Sequence, residues 1–142
     1  MTLFGTVIDG LLPLPPWRFA KLIKYLKLLQ KKDVDTVNRR ENYFFHKEFK
    51  YYVGGSSRIS GLYNGWPDYR DRIILGEVGT PGKIISIKTS RHSVCLVTCL
   101  SGTRCGKMLD LEVIFLFNFK GNKLIEGRSI PLNDAAWSEF WA

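Results

Sequence analysis

Residues 108–120, MLDLEVIFLFNFK, carry the pattern that decides the fold. The odd-numbered positions are all apolar, whereas the even-numbered positions are polar at both ends and apolar in the middle. Because successive side chains of a strand point to opposite faces, this alternation predicts a long strand with one buried face and one face covered only near its centre. Gly121 and Asn122 follow as a two-residue hairpin turn, and residues 124–130 return as the partner strand.

Shorter strand patterns surround this hairpin. Residues 83–88 and 94–100 are rich in β-branched and apolar side chains and predict two strands, with residues 101–107 as a loop leading into the long strand. Residues 49–53 predict a short strand in a glycine-rich segment. A short helix is expected from Pro67 onward, because proline is favoured in the first turn of a helix.

Helices are predicted towards both ends of the sequence. Residues 17–32, WRFAKLIKYLKLLQKK, place apolar and basic residues on opposite sides at helical spacing. A second helix is predicted over residues 36–46, because Asp33 or Asp35 can cap its free backbone N–H groups. A last short helix is predicted for AAWSEFWA, residues 135–142.

The composition indicates one globular domain. The chain has 142 residues, of which 45% are hydrophobic and 24% are charged. These ordinary values exclude a disordered chain, a collagen and a coiled coil. Helices followed by an antiparallel meander predict an α+β domain over residues 17–142, preceded by an N-terminal arm over residues 1–16. Three cysteines and the absence of a signal-peptide pattern lead us to expect reduced thiols and a cytoplasmic protein.

The positive charge is concentrated in the first helix. The formal net charge is +8, and residues 1–32 contain six basic residues against one acidic residue. A basic amphipathic helix over residues 17–32 suits an acidic partner or an anionic membrane surface, although the solvated face of an ordinary surface helix gives the same pattern. Because the basic residues are not spread over a face with aromatics between them, the sequence argues against nucleic acid as a partner.

Several segments together resemble a known family. The helix KYLKLLQKKDVDTV (24–37), the segment LYNGWPDYRD (62–71), the meander over residues 102–131 and the ending NDAAWSEFWA (133–142) are similar to SnoaL-like polyketide cyclases and ketosteroid isomerase-related proteins. These proteins belong to the nuclear transport factor two-like superfamily. The resemblance implies a cone-shaped, curved antiparallel sheet wrapped around N-terminal helices. It also implies a pocket for a small, largely apolar molecule and a homodimer formed through the outer sheet face.

The catalytic positions of these families are only partly occupied. The resemblance places Tyr25 where ketosteroid isomerases have an oxyanion hydrogen-bond donor. It places Tyr51 and Phe115 at the positions of their carboxylates, and Ser129 at the acid–base aspartate of the cyclases. Proton abstraction beside a carbonyl needs a base with a pKa near the working pH, which a tyrosine or a serine alone does not supply.

Two functions therefore stay open. One is a domain that binds a small ligand, with or without isomerase, cyclase or dehydratase turnover. The other is a non-catalytic, dimeric interaction domain whose basic helix docks an acidic partner or a membrane surface.

Aromatic and hydroxyl side chains supply the candidate site residues. The expected ligand contacts are Tyr25, Tyr51, Tyr63, Trp66, Phe115 and Phe117. An aromatic cavity with a few hydroxyl groups is typical of small-ligand sites. The candidate catalytic residues are Tyr25, Ser129 and His46. His46 is expected at the end of the second helix, where it can serve as a base at the pocket mouth or simply interact with the helix dipole.

No cofactor or metal site is expected. The sequence contains no P-loop, dinucleotide fingerprint or HExxH motif. His92 with three cysteines invites a zinc interpretation, but Cys95 and Cys99 lie about 13 Å apart on a strand, at ~3.3 Å per residue. That separation is too long for two ligands of one zinc ion. We expect Cys95 and Cys99 to be small core residues and Cys105 to be exposed.

Overall fold

Three helices lead into the sheet in the computed structural model, which describes residues 6–7, 16–74 and 80–142. They are α1 (Pro16–Gln30), α2 (Val34–Arg39) and α3 (Glu41–Phe44). Asp33 caps α2, and its Oδ1 accepts the Thr36 backbone N–H at 3.1 Å. The helix predicted over residues 36–46 was too long, because α2 ends before Arg40, whose φ of −115° breaks the helical path, and α3 adds a single turn.

The described residues form one seven-stranded sheet. Its strands are β1 (Thr6–Val7), β2 (Phe45–Val53), β3 (Gly61–Asn64), β4 (Thr80–Thr89), β5 (Ser93–Arg104), β6 (Lys107–Lys120) and β7 (Lys123–Pro131). Their order across the sheet is β1-β4-β5-β6-β7-β2-β3. The strands β4 to β7 form the predicted antiparallel meander, whereas β2 runs parallel to β7 and pairs antiparallel with β3.

Two shorter helices complete the fold. They are α4 (Gly65–Tyr69), which continues as a π-helical turn over Arg70–Ile74, and α5 (Asp134–Trp141). None of the helices in the described ranges has the length and apolar character that a membrane span requires. The two residues of β1 pair with the end of β4, and the rest of the predicted arm, residues 1–5 and 8–15, lies outside the described residues.

The alternation predicted for the long strand is confirmed, although Leu111 and Phe115 on its inner face are only half-buried. The buried side chains of β6 are Leu109, Val113, Phe117 and Phe119. On the opposite face Asp110 and Glu112 are exposed, while Ile114 and Leu116 are half-buried. The helix α1 packs on the inner face of the sheet, where the Tyr25 ring meets that of Phe45 edge-on with centroids 5.3 Å apart. Helices packed on one face of a curved, largely antiparallel sheet make the α+β architecture that the sequence predicted.

Two expectations about the β5–β6 region were wrong. Residues 101–107 are not a loop, because β5 continues to Arg104 and turns into β6 through Cys105 and Gly106, which both have positive φ. Cys95 and Cys99 are half-buried on the outer face of β5 rather than in the core. Leu96 and Leu100 take the inner face instead. Cys105 is exposed, as expected.

Hydrogen bonds with side chains stabilise both ends of the helix α5. At its start, Asp134 accepts hydrogen bonds from the backbone N–H and the hydroxyl of Ser56, which lower the pKa of this carboxyl. At its last carbonyls, Arg58, Arg104 and Lys107 donate side-chain hydrogen bonds. Cations at a helix C-terminus are favoured because the last carbonyl groups carry partial negative charge.

Candidate functional site

Three buried tyrosines from three different elements meet on the inner side of the sheet. Tyr25 lies in α1, Tyr51 lies in β2 and Tyr69 is the last residue of α4, and we call these three residues the tyrosine cluster. The rings of Tyr51 and Tyr69 stack with centroids 3.9 Å apart. Tyr25 and Tyr51 are each 2% exposed. The cluster therefore belongs to the interior, where any bound molecule would be shielded from water.

Strand pairing explains how Tyr51 reaches this place. From Phe49 to Val53 the strand β2 buries alternate side chains, of which Tyr51 is the central one. In the sheet Tyr51 pairs with Gly127 of β7 on one side and with Tyr63 of β3 on the other. A Cβ atom added at Gly127 would lie 2.6 Å from two carbons of the Tyr51 ring. The missing side chain of Gly127 therefore makes the space that the Tyr51 ring occupies.

Ser129 supplies a fourth hydroxyl group to the cluster. It lies two residues after Gly127 on the same face of β7 and is 6% exposed. Burial raises the pKa of Tyr51, and hydrogen bonds with the Ser129 and Tyr69 hydroxyls act in the opposite direction. The hydroxyl groups of Tyr51, Tyr69 and Ser129 are therefore close enough to interact with one another.

The other two phenols of the cluster also stay protonated. Burial raises the pKa of Tyr25 well above its ordinary range, and the neighbouring Tyr51 adds to this shift. The pKa of Tyr69 is raised by burial and by its hydrogen bond to Tyr51. Phenols with raised pKa values are neutral hydrogen-bond donors and not bases. The cluster can polarise an oxygen atom of a ligand, but it does not remove a proton at neutral pH.

The fold brings together three of the predicted site residues, Tyr25, Tyr51 and Ser129. Trp66 lies beside them, with its ring stacked on Phe45 at 5.0 Å and its Nε1 donating to Asn38 Oδ1 at 2.8 Å. One face and the N–H group of this indole are therefore used by the protein, and we infer that Trp66 supports the wall of the cluster.

The remaining predicted contacts lie around this centre. Tyr63 is buried, but its hydroxyl donates to the Ile59 carbonyl and its ring lies under Arg72. Phe115 and Phe117 point to the inner face of β6 with parallel rings 6.4 Å apart. Phe115 is half-buried and pairs with Ser129. Phe117 pairs with Gly127, so both phenylalanines lie beside the β7 positions that border the tyrosine cluster.

The predicted position of His46 was wrong. It lies in β2, whose first residue is Phe45, and not at the end of a helix. Its Nδ1 accepts the backbone N–H of Glu48 at 3.0 Å, and the Glu48 carboxylate lies 4.0 Å from the same atom. The strand forms here because Phe45 pairs with Leu124 of β7. His46 is therefore engaged in a local contact of β2.

Two residues of the site were missed by the sequence reasoning. Tyr69 completes the tyrosine cluster, and Asn38 accepts hydrogen bonds from both Trp66 and Arg70. The available signal was helical spacing, because Trp66 and Tyr69 are three residues apart and so lie on one side of α4. Within the described ranges, no three His, Cys, Asp or Glu side chains come together in a way that could hold a metal ion.

Comparison with known proteins identifies the fold. No protein-family model matches the sequence, and no match was found among curated proteins. Among solved structures, the chain is similar to Bal32a from a soil-derived mobile gene cassette, with 24% identity over 89% of this chain and 97% of the other and a TM-score of 0.75. It is also similar to a protein from Jannaschia sp. CCS1 named as a SnoaL-like polyketide cyclase, with 14% identity, coverage of 94% and 98%, and a TM-score of 0.71.

A third similar structure contains a ligand. TerC, co-crystallised with polyporic acid, shares 10% identity with this chain, with coverage of 87% and 97% and a TM-score of 0.67. An NTF2-like protein from Burkholderia xenovorans LB400 is also similar, with 9% identity, coverage of 89% and 96% and a TM-score of 0.73. The chain therefore has the fold of the nuclear transport factor two-like superfamily, as the sequence resemblance implied.

Proposed function

We propose that this protein binds a small, largely apolar molecule that presents a hydrogen-bond-accepting oxygen to the tyrosine cluster. The observation that supports this proposal is the meeting of three buried phenols and the buried Ser129 hydroxyl on the inner side of the sheet. Burial raises the pKa of each phenol, so the phenols are neutral hydrogen-bond donors. A ligand oxygen that accepts one such bond adds about 0.5–1.5 kcal/mol to the binding free energy. The complex of TerC with polyporic acid shows that this fold can accommodate a small molecule.

The proposed activity is binding rather than proton abstraction. In the part of the chain that the structure describes, the charges that shift the three phenols of the cluster come from other tyrosines. An isomerase or a cyclase needs a base that takes up the substrate proton. The cluster provides donors that would stabilise an enol or phenol oxygen of a bound ligand.

The first prediction concerns Tyr51. With β-naphthol as the probe, a bicyclic phenol whose fluorescence reports binding, Tyr51→Phe is expected to weaken affinity about 5- to 10-fold, the value of one hydrogen bond of ~1–1.5 kcal/mol. Tyr52→Phe is the matched control. It lies on the opposite face of the same strand, where its ring packs under Arg128 at 4.3 Å, so its loss should leave affinity unchanged. Equal losses in both variants, or no binding by the wild type, would refute the proposal.

We further propose that two copies associate through the outer sheet face. Val97, Ile114 and Ile130 are aligned across β5, β6 and β7 by strand pairing. Ile130 is 42% exposed, and Ile85 on β4 is equally exposed. A contiguous apolar row on a sheet is typical of a protein–protein contact. Homodimers bury such faces because the hydrophobic effect scales with apolar area removed from water.

The second prediction follows from this row. Light scattering coupled to gel filtration should give a dimer for the wild type and a monomer for Ile114→Glu, because the new carboxylate would be buried without a partner at the contact. Leu132→Glu is the control, since Leu132 is 54% exposed and lies outside the row, and it should remain a dimer. A monomeric wild type at all concentrations would contradict the proposed association.

A further inference from the structure

An exposed tyrosine on α3 is surrounded by cations. The ring of Tyr43 is approached by Lys21 Nζ at 4.1 Å, by the Arg40 guanidinium at 4.2 Å and by Lys24 Nζ at 5.6 Å. Tyr43 is 39% exposed. Lys123, at the start of β7, is close enough to act on the charge of Lys21. The helices α1 and α3 and the β6–β7 turn thus build one basic surface around an aromatic ring.

The charge of this surface is not balanced by acids. Lys21 donates to two carbonyl oxygens, those of Tyr43 at 2.9 Å and Asn122 at 2.6 Å. Its pKa is lowered by burial and by repulsion from Lys123 and Arg40. The ion pairs found in the described ranges involve none of these cations. Like charges held this close leave a local positive potential that a bound anion would relieve.

A second aromatic ring borders the same surface. Trp17, in the first turn of α1, is 59% exposed. Its Nε1 donates to the Asn122 side chain at 2.9 Å, and the backbone carbonyl of Asn122 accepts from Lys21. Trp17 is therefore held in a fixed orientation beside the cations while most of its ring stays open. We call the surface formed by Trp17, Lys24, Arg40, Tyr43 and Lys123, with the buried Lys21 beneath it, the Tyr43 patch.

We propose that the Tyr43 patch binds single-stranded nucleic acid, with its exposed cations on the phosphates and an unpaired base stacked on the open ring of Trp17, while the Tyr43 ring holds the cations around it. Lysine and arginine neutralise phosphates and release counterions, and base–aromatic stacking is available to any unpaired base. The sequence alone argued against this partner because its basic residues lie on one helix without aromatics between them. The fold supplies what was missing by placing Tyr43 and Trp17 among the lysines.

Two other anionic partners fit the patch less well. A membrane-bound helix needs a free apolar face to insert, but the apolar side of α1 is used in the core, where Leu22 is fully buried and Phe19 is 7% exposed. An acidic protein surface is disfavoured because lysine, which dominates this patch, is depleted in protein–protein interfaces. A single-stranded nucleic acid offers phosphates to the cations of the patch and unpaired bases that can stack on its exposed aromatic ring.

The test is fluorescence anisotropy with a labelled oligouridine. Binding should weaken steeply as salt is raised from about 50 to 200 mM, because counterions compete for the lysines. Lys24→Glu is expected to lower affinity about 10-fold, since it replaces an exposed cation by an anion within the patch. The matched control is Lys88→Glu on β4, an exposed lysine outside the patch, which should change affinity less than twofold. Trp17→Ala should weaken binding without changing the salt slope, because it removes stacking and no charge.

Several outcomes would overturn the proposal. A duplex of equal length that binds as well as the single strand would show that bases are not stacked. Equal losses from Lys24→Glu and Lys88→Glu would show that only net charge matters. Binding to phosphatidylserine vesicles or to polyglutamate, without binding to the oligouridine, would assign the patch to a membrane or an acidic protein instead. Circular dichroism of each variant verifies that a loss of binding is not a loss of fold.

Discussion

Trp66→Ala is expected to lower the free energy of unfolding by about 3–5 kcal/mol, the usual cost of removing a fully buried large aromatic side chain. Trp66 is 1% exposed, and its ring stacks on Phe45 at 5.0 Å and meets Tyr25 edge-on at 6.0 Å. The substitution leaves a cavity between α1, β2 and α4. It also leaves the Asn38 oxygen without the indole N–H that now donates to it at 2.8 Å.

A second variant separates these two contributions. Trp66→Phe keeps an aromatic ring against Phe45 and removes only the N–H group, while Asn38 Oδ1 keeps its contact with Arg70 at 3.1 Å. We expect a loss of about 1–2 kcal/mol for this variant in urea unfolding, the scale of one buried hydrogen bond and a small void. If Trp66→Phe kept full stability but lost β-naphthol binding, Trp66 would be a ligand contact and not the structural support that we infer.

The elements predicted best from sequence are those whose hydrophobic pattern is compatible with only one buried face. In β6 only one face is apolar throughout, so the alternation fixes which face is buried. In β5 both faces are apolar, since Val94 and Leu96 alternate with Cys95 and Val97. The sequence therefore showed that Cys95 and Cys99 share a face, but it did not show which one. Pairing with β6, where Leu116 lies opposite Cys95, assigns both cysteines to the outer face.

The errors around residues 36–46 have a different cause. Asp33 caps the start of α2, as predicted. How far the chain stays helical is decided by a distant partner, because Phe45 pairs with Leu124, far along the chain. Long-range pairing of this kind overrides local helix propensity. His46 lies in a strand and not at a helix end for this reason.

In the candidate site, too, the residues that sequence did not select are those brought into place by contacts between distant parts of the chain. The family resemblance selected Tyr25, Tyr51 and Ser129 as candidates, and the fold places all three close together. It did not select Tyr69, which reaches Tyr51 only after α4 has packed on β2. The same holds for Gly127, which looks like an ordinary strand glycine until the β2–β7 register places it under a tyrosine ring.

Gly127→Ala is the substitution that tests this register most directly. Its Cβ would lie 2.6 Å from Cδ2 and Cε2 of Tyr51 and 3.5 Å from the Phe117 ring. The Tyr51 ring cannot retreat, because Tyr69 is stacked on it with centroids 3.9 Å apart. Overpacking of a tight core costs about 1–3 kcal/mol. We expect a loss near the upper end of that range in urea unfolding, together with the loss of β-naphthol binding as the Tyr51 hydroxyl is displaced.

The double variant Gly127→Ala/Tyr51→Ala decides whether the clash is the cause. Tyr51→Ala alone removes a buried ring and should cost about 3–5 kcal/mol, as for other large-to-alanine changes. With that ring absent, the alanine methyl at residue 127 has room, so the double variant should be more stable than the sum of the two losses predicts, by about 2 kcal/mol. Strictly additive losses would mean that Gly127 is needed for some property of β7 itself. The glycine would then be required for a reason other than the close approach of the Tyr51 ring. The space beside Gly127 would also not explain the position of the Tyr51 hydroxyl.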